Sequence, residues 1–229
     1  MKVSAGSAKR LKRRLNIDAI EASLAAVQRE FSRINADLSD RRDPLTDEVV
    51  ANMMAGYRCV DECLRKGIDL FAFGESARLV ELNRLVLCGE SIDCPGEVNA
   101  GQAKDTHRHF YETEGGGIGG LMEWLACHRK DRTSKLAAGV FTRVLSQPQL
   151  YPEGNHRTGA LLMSYLLARD GRPPFVLTVE NARQFFEPAT LIKKRKKQGI
   201  DKLVRLPKLT KRFARMIDEQ ADSGFLLKR

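Results

Sequence analysis

Gln149-Leu150-Tyr151-Pro152-Glu153-Gly154-Asn155-His156-Arg157-Thr158-Gly159-Ala160 runs straight into an apolar segment that reaches Arg169. Pro148 and Pro152 hold the first half out of helix, as an exposed ligand loop requires. Gly154 can adopt a turn conformation closed to other residues. A helix that opens at Asn155 has its first backbone N–H groups without intrahelical partners, and these favour an anion. Arg157 adds a fixed charge suited to phosphate, and Glu153 is a candidate ligand for a magnesium ion that bridges two phosphates. The plainer alternative is an ordinary N-cap at Asn155 followed by a solvated arginine.

Outward from this block the chain reads as mainly α. Asp18 through Leu38 places Ile20, Leu24, Val27, Phe31 and Ile34 at helical spacing. Pro44 marks a break, after which Thr46, Asp47 and Glu48 start a helix through Leu64 that Lys66-Gly67 ends. A third helix is expected from about Glu75 to Leu87, with others over Leu121–Arg129, Ser134–Leu145 and Asn155–Arg169. Gly171 and Pro173-Pro174 stop the last of these. Further helices begin at Glu180 and span Leu209–Gln220, and Trp124 and Phe141 are core candidates. Residues 88–117 differ, because Pro95-Gly96, Gly101 and Gly115-Gly116-Gly117 surround Thr106–Tyr111; a loop with a short β-hairpin is expected there.

A chain of 229 residues can build one sizeable core, and no apolar run approaches the ~20 residues of a membrane span. The start, Met1-Lys2-Val3, lacks the apolar centre of a secretory signal. Five cysteines, with Cys59 and Cys63 on one helical face, suggest reduced thiols and a cytoplasmic protein. A metal site from Cys94, His107 and His109 matches no ligand spacing. The net charge of +10 sits at the ends: residues 1–14 hold six basic and no acidic side chains, and residues 193–229 hold thirteen basic and four acidic ones. The middle is therefore mildly acidic. Lys193-Lys194-Arg195-Lys196-Lys197 is the densest run and is either a contact for nucleic acid or an anionic surface, or a solvated tail.

The central block resembles the signature of the Fic (Fido) family, His-x-Phe-x-Asp/Glu-Gly-Asn-Gly/Lys-Arg-x-x-Arg. Glu153, Gly154, Asn155 and Arg157 match it, and Tyr151 stands for the phenylalanine. Leu166 through Pro174 is similar to the family's next helix and its exit, and Leu82-Asn83-Arg84-Leu85 to the helix that opens its core. The resemblance covers about residues 75–190, which implies a Fic-like helical core with a β-hairpin flap. Residues 1–74 are then a basic arm with accessory helices, and 191–229 a basic extension. It further implies ATP or another nucleotide with Mg2+, held by Gly154, Asn155, His156 and Arg157 for phosphate and Glu153 for metal. A protein target would lie along a flap that carries His107, His109, Phe110 and Tyr111.

Two departures bear on mechanism. The family histidine takes the proton from a target hydroxyl that attacks the nucleotide's α-phosphate. Here that position is Gln149, whose amide cannot take up a proton. General-base catalysis contributes roughly two to four orders of magnitude in rate. The final motif arginine is Ala160, which removes a phosphate contact, and His156 replaces a glycine or lysine. The residues four before Glu114, Glu153 and Glu180 are Phe110, Gln149 and Val176, so the family's inhibitory pattern Ser/Thr-x-x-x-Glu-Gly/Asn is absent. The expectation is a catalytically impaired binding or regulatory module. The alternatives are an adenylyltransferase (AMP transfer to a hydroxyl) with altered mechanism, and a nucleic-acid-associated protein that works through its basic ends.

Overall fold

The computed structural model describes residues 13–91, 100–114 and 116–227, without the side chains of 100–104. Most of the basic arm, Cys94, Pro95-Gly96 and Gly115 lie outside the described residues. Nine α-helices carry the described fold: α1 (Ile17–Ala36), α2 (Asp47–Lys66), α3 (Ser76–Cys88), α4 (Ala100–Glu112), α5 (Ile118–His128), α6 (Thr133–Leu145), α7 (Asn155–Arg169), α8 (Ala182–Lys193) and α9 (Leu206–Glu219). A π-helical turn (Asp201–Arg205) precedes α9.

Local chemistry sets the helix ends. The Asn16 side chain accepts from the Ala19 N–H to open α1, and Thr46 accepts from the Val49 N–H to open α2. Gly67, at φ 70°, closes α2 and returns its N–H to the Cys63 and Leu64 carbonyls, a left-handed exit that glycine makes without strain. The five apolar positions read from α1 are all buried.

The centre of the molecule is α7. Twelve of its fifteen residues are buried, so it is covered on every side rather than along one stripe. It packs against α6, α2 and α3, and α9 covers the far face of α6. Each buried leucine here contributes about 1.5–3 kcal/mol relative to exposure. One apolar cluster takes in Leu15 and Ile20 near the N-terminus, Leu161 and Tyr165 of α7, and Phe213 and Ile217 of α9. Residues of all three sequence segments thus share one core. The chain ends meet as well: Asn16 donates to the Phe225 carbonyl and Leu227 to the Arg14 carbonyl, both at 2.9 Å. No described helix is long and apolar enough to cross a membrane.

The expected β-hairpin flap is corrected by the structure. Among the described residues there are no strands, only the isolated bridges Leu15–Leu226 and Gln147–Lys196, and residues 100–112 form α4. Ala100, Gln102, Ala103, Lys104, Arg108 and Glu112 are strong helix formers, and the surrounding glycines masked that signal. An Asp105–Arg108 pair at 2.9 Å adds i,i+3 support. The cysteine reading also changes: Cys59, Cys63 and Cys127 are free thiols, but Cys88 is disulfide-bonded.

Candidate functional site

The loop between α6 and α7 is built from inside outward. Leu150 and Tyr151 are buried, and the Tyr151 hydroxyl donates to the Leu79 carbonyl of α3 at 2.9 Å. Pro152 and Glu153 are exposed. Gly154 then reverses the chain at φ 74°. A Cβ there would sit 2.8 Å from Asn83 Nδ2, so both the dihedral and the space call for glycine.

Asn155 is buried and braces the loop. Its Oδ1 accepts from the Tyr151 N–H at 3.0 Å, and its Nδ2 donates to the Tyr151 carbonyl at 2.7 Å. The side chain therefore shapes the turn and does not point out as a ligand contact. Asn83 completes the brace from α3, donating to the Glu153 carbonyl and to Thr158 Oγ1, each at 3.0 Å. No side chain caps α7, so its N-terminus keeps the arrangement suited to an anion.

The charged positions are placed less simply. Arg157 Nη1 donates to the Val86 carbonyl, which turns that guanidinium toward α3. Burial lowers its pKa, with Glu153 and Glu48 acting the other way. His156 carries an Nε2 that is buried without a hydrogen-bond partner. Burial first, then the nearby charges of Arg42, Lys193 and Arg157, push its pKa down to about 3. The imidazole is neutral at neutral pH, so the expected phosphate contact from His156 carries no charge.

Gln149 turns its amide back to the Leu145 carbonyl at 3.2 Å, so it serves the end of α6. Its own carbonyl meets His109 Nε2 at 2.9 Å, which brings α4 against the loop. The four residues expected on a flap lie on α4 in different roles. Phe110 is fully buried and stacks on Tyr151 at 5.3 Å between centroids; it is a core residue, not part of a groove. Tyr111 is exposed, packs against His107 at 4.4 Å, and meets the Ser76 hydroxyl at 2.9 Å.

Sequence reasoning missed Asn83 as a bracing residue, although a polar side chain among the apolar positions of α3 was a readable signal. It also missed Lys197. Gln147 donates to the Arg195 carbonyl and accepts from the Lys197 N–H, both at 2.7 Å, so the basic run is docked on the loop. Lys197 Nζ donates to the Pro148 carbonyl at 2.6 Å and the Gly116 carbonyl at 3.3 Å, and burial lowers its pKa to about 7. Lys194 pairs with Asp40 at 2.7 Å. The 193–197 run is thus partly consumed by structure and is not a uniformly solvated tail. A separate groove of about 840 Å³ lies between α6 and α9, where Arg132, Lys135, Arg143, Lys202, Lys211 and Arg215 gather with Asp218 and Glu219 beside Trp124. Trp124 stacks on His128 at this groove and is only partly buried.

Among the described residues, no group of three or more His, Cys, Asp and Glu side chains could hold a metal. A magnesium ion at the loop would take Glu153 and phosphate oxygens together, which is the usual mode for that ion. No family model matches the chain, and no curated protein matches it.

Proposed function

We propose that the chain is a degenerate Fic-fold protein whose α6–α7 loop binds a phosphate-bearing ligand, a nucleotide with magnesium, and works as a binding or regulatory module. The observation that carries this reading is the turn at Gly154–Asn155. A left-handed glycine and a doubly bonded asparagine hold the chain so that the uncapped first turn of α7 sits directly behind an exposed Glu153. Oriented backbone N–H groups and the positive end of a fifteen-residue helix attract phosphate. Glu153 would share a magnesium ion with that phosphate, and the ion's charge would neutralise the oxygens it bridges.

Transfer chemistry lacks its base. The Gln149 amide is turned to the Leu145 carbonyl and cannot accept a proton, and the neutral His156 faces away toward α1 and α8. The test is calorimetric titration with ATP, with and without magnesium, on the wild type and on Glu153→Gln and Arg157→Ala. Binding that requires magnesium and weakens in Glu153→Gln supports the reading. Absence of heat in every arm refutes it.

A second reading, association with nucleic acid, draws on the α6–α9 groove. Six Lys and Arg side chains line it against two acidic ones, Asp218 and Glu219, an excess of positive charge that suits phosphate contacts. Binding to a single-stranded oligonucleotide that falls steeply with salt, and weakens in Lys211→Ala, would favour it.

A further inference from the structure

The groove between α6 and α9 combines an apolar lining with unmatched charge. Trp124 of α5, Gly139 of α6, and Leu206, Pro207 and Ala214 of α9 supply the apolar part. Gly139 lets the indole seat directly on α6, because a Cβ there would sit 2.0 Å from the ring. Three helices thus line the groove, and an apolar channel between helices is a surface into which a further helix packs.

The acids of the groove are mostly spoken for within the chain. Asp218 Oδ1 accepts from Arg172 at 2.5 Å and its Oδ2 from the Ser134 hydroxyl at 3.1 Å, with Arg132 at 3.7 Å. Lys135 pairs with Asp131 at 3.1 Å. Among the described residues, Arg143, Lys202, Lys211 and Arg215 have no carboxylate partner, and Glu219 is the lining acid left to oppose them. Arg143 is half-buried and lies over the Trp124 ring at 5.7 Å. None of its guanidinium nitrogens has an acceptor in the chain, and none is closed off from solvent. Its donors are therefore open to an acceptor that enters the groove.

The turn that supplies Lys202 also exposes three aliphatic side chains within five residues: Ile200 at 64%, Leu203 at 76% and Val204 at 41%. A nucleic-acid backbone makes no use of such a surface, and the Trp124 ring is already engaged by His128 and Arg143. An amphipathic protein segment uses both the aliphatic patch and the cations. The chain's own N-terminal segment is not the complement, since residues 1–14 hold six basic side chains and no acid.

We infer that the α6–α9 groove docks an acidic amphipathic helix of a partner protein. Its apolar stripe lies against Trp124, Pro207 and the Leu203 turn, and its carboxylates meet Arg143, Lys202, Lys211 and Arg215. The inference does not rest on the nucleotide reading of the α6–α7 loop, and it competes with nucleic acid for one groove.

The test is titration of the full chain with a tryptophan-free peptide of about five helical turns, carrying Leu along one face and Glu with Ala on the other. A scrambled peptide of the same composition and a single-stranded oligonucleotide are the comparisons. Calorimetry reads affinity, and emission from Trp124, the single tryptophan of the chain, reports on the groove. The amphipathic peptide should shift that emission and bind at least about tenfold more tightly than the scrambled one. Arg143→Met and Leu203→Ser should each weaken it about tenfold, the first through a lost charge-assisted hydrogen bond and the second through lost apolar contact. Leu203 is exposed, so its replacement leaves the core untouched. Equal binding of the two peptides, no binding at millimolar concentration, or an unchanged affinity in either variant overturns the inference. An oligonucleotide that binds more tightly than the peptide and displaces it from Trp124 overturns it in favour of nucleic acid. Magnesium-dependent ATP binding is read in separate titrations, so failure of one site leaves the other standing.

Discussion

His156 should make the protein acid-sensitive in a window of its own. Its folded pKa is lowered from 6.5 to about 3, chiefly because Nε2 is buried without a partner. The folded state therefore holds the neutral ring, while the unfolded chain takes up a proton near pH 6.5. For a depressed folded pKa, stability is full above the unfolded value and is lost as pH falls toward the folded one. Between about pH 7 and about pH 5, linkage with these two pKa values gives a loss of about 2 kcal/mol from this residue alone. The perturbation is His156→Leu, which cannot titrate and leaves no orphaned nitrogen. Urea unfolding of both proteins at the two pH values reads the difference. Carboxylates that titrate in the same range are common to both and cancel. The wild type should lose about 2 kcal/mol more than the variant on acidification, and the variant should equal or exceed it at neutral pH. Parallel losses in the two proteins would refute the argument that a buried, unpartnered imidazole is held neutral here.

Three further outcomes are expected. Gly154→Ala forces a Cβ into a left-handed turn against Asn83 Nδ2 and should cost about 1–3 kcal/mol in thermal or chemical unfolding. Asn155→Ala removes both bonds to Tyr151 and leaves that backbone buried and unpaired; a loss of about 2–4 kcal/mol is expected, with weaker magnesium-dependent ATP binding in calorimetry. Lys197 has a folded pKa lowered from 10.5 to about 7 by burial, so its protonated form opposes folding throughout the window between those values. Wild-type stability should therefore gain about 2 kcal/mol from this residue between about pH 7 and about pH 9, and Lys197→Met should abolish that gain in urea titrations.

The helical frame was legible where periodicity and punctuation agreed. The helix expected at Asn155–Arg169 has those bounds in the structure, because Gly154 and Gly171 mark its limits and its apolar run is long. α4 was not legible: glycine and proline around Thr106–Tyr111 suggested a hairpin, while the helix formers between them decided the local outcome. At the loop, the left-handed turn at Gly154 was readable from residue type alone. The inward use of Asn155 and the turning of Arg157 toward Val86 were not, since both depend on which backbone groups α3 and the loop present. Lys197 could not be told from its four basic neighbours, because only the pairing of Gln147 with Lys196 buries it.

The burial of α7 on every side has a consequence in time. Beyond its uncapped first turn, its amide hydrogens can meet solvent only when α6, α2 and α3 part together, so they should exchange at the rate of global opening. The Gly154–Asn155 turn is bonded to the first residues of this slowest element and to Asn83, and it should inherit much of the same protection. A ligand arriving there finds a surface already set and gives up little entropy in ordering it. Differences in affinity among its ligands should then appear mainly as differences in how long each one stays.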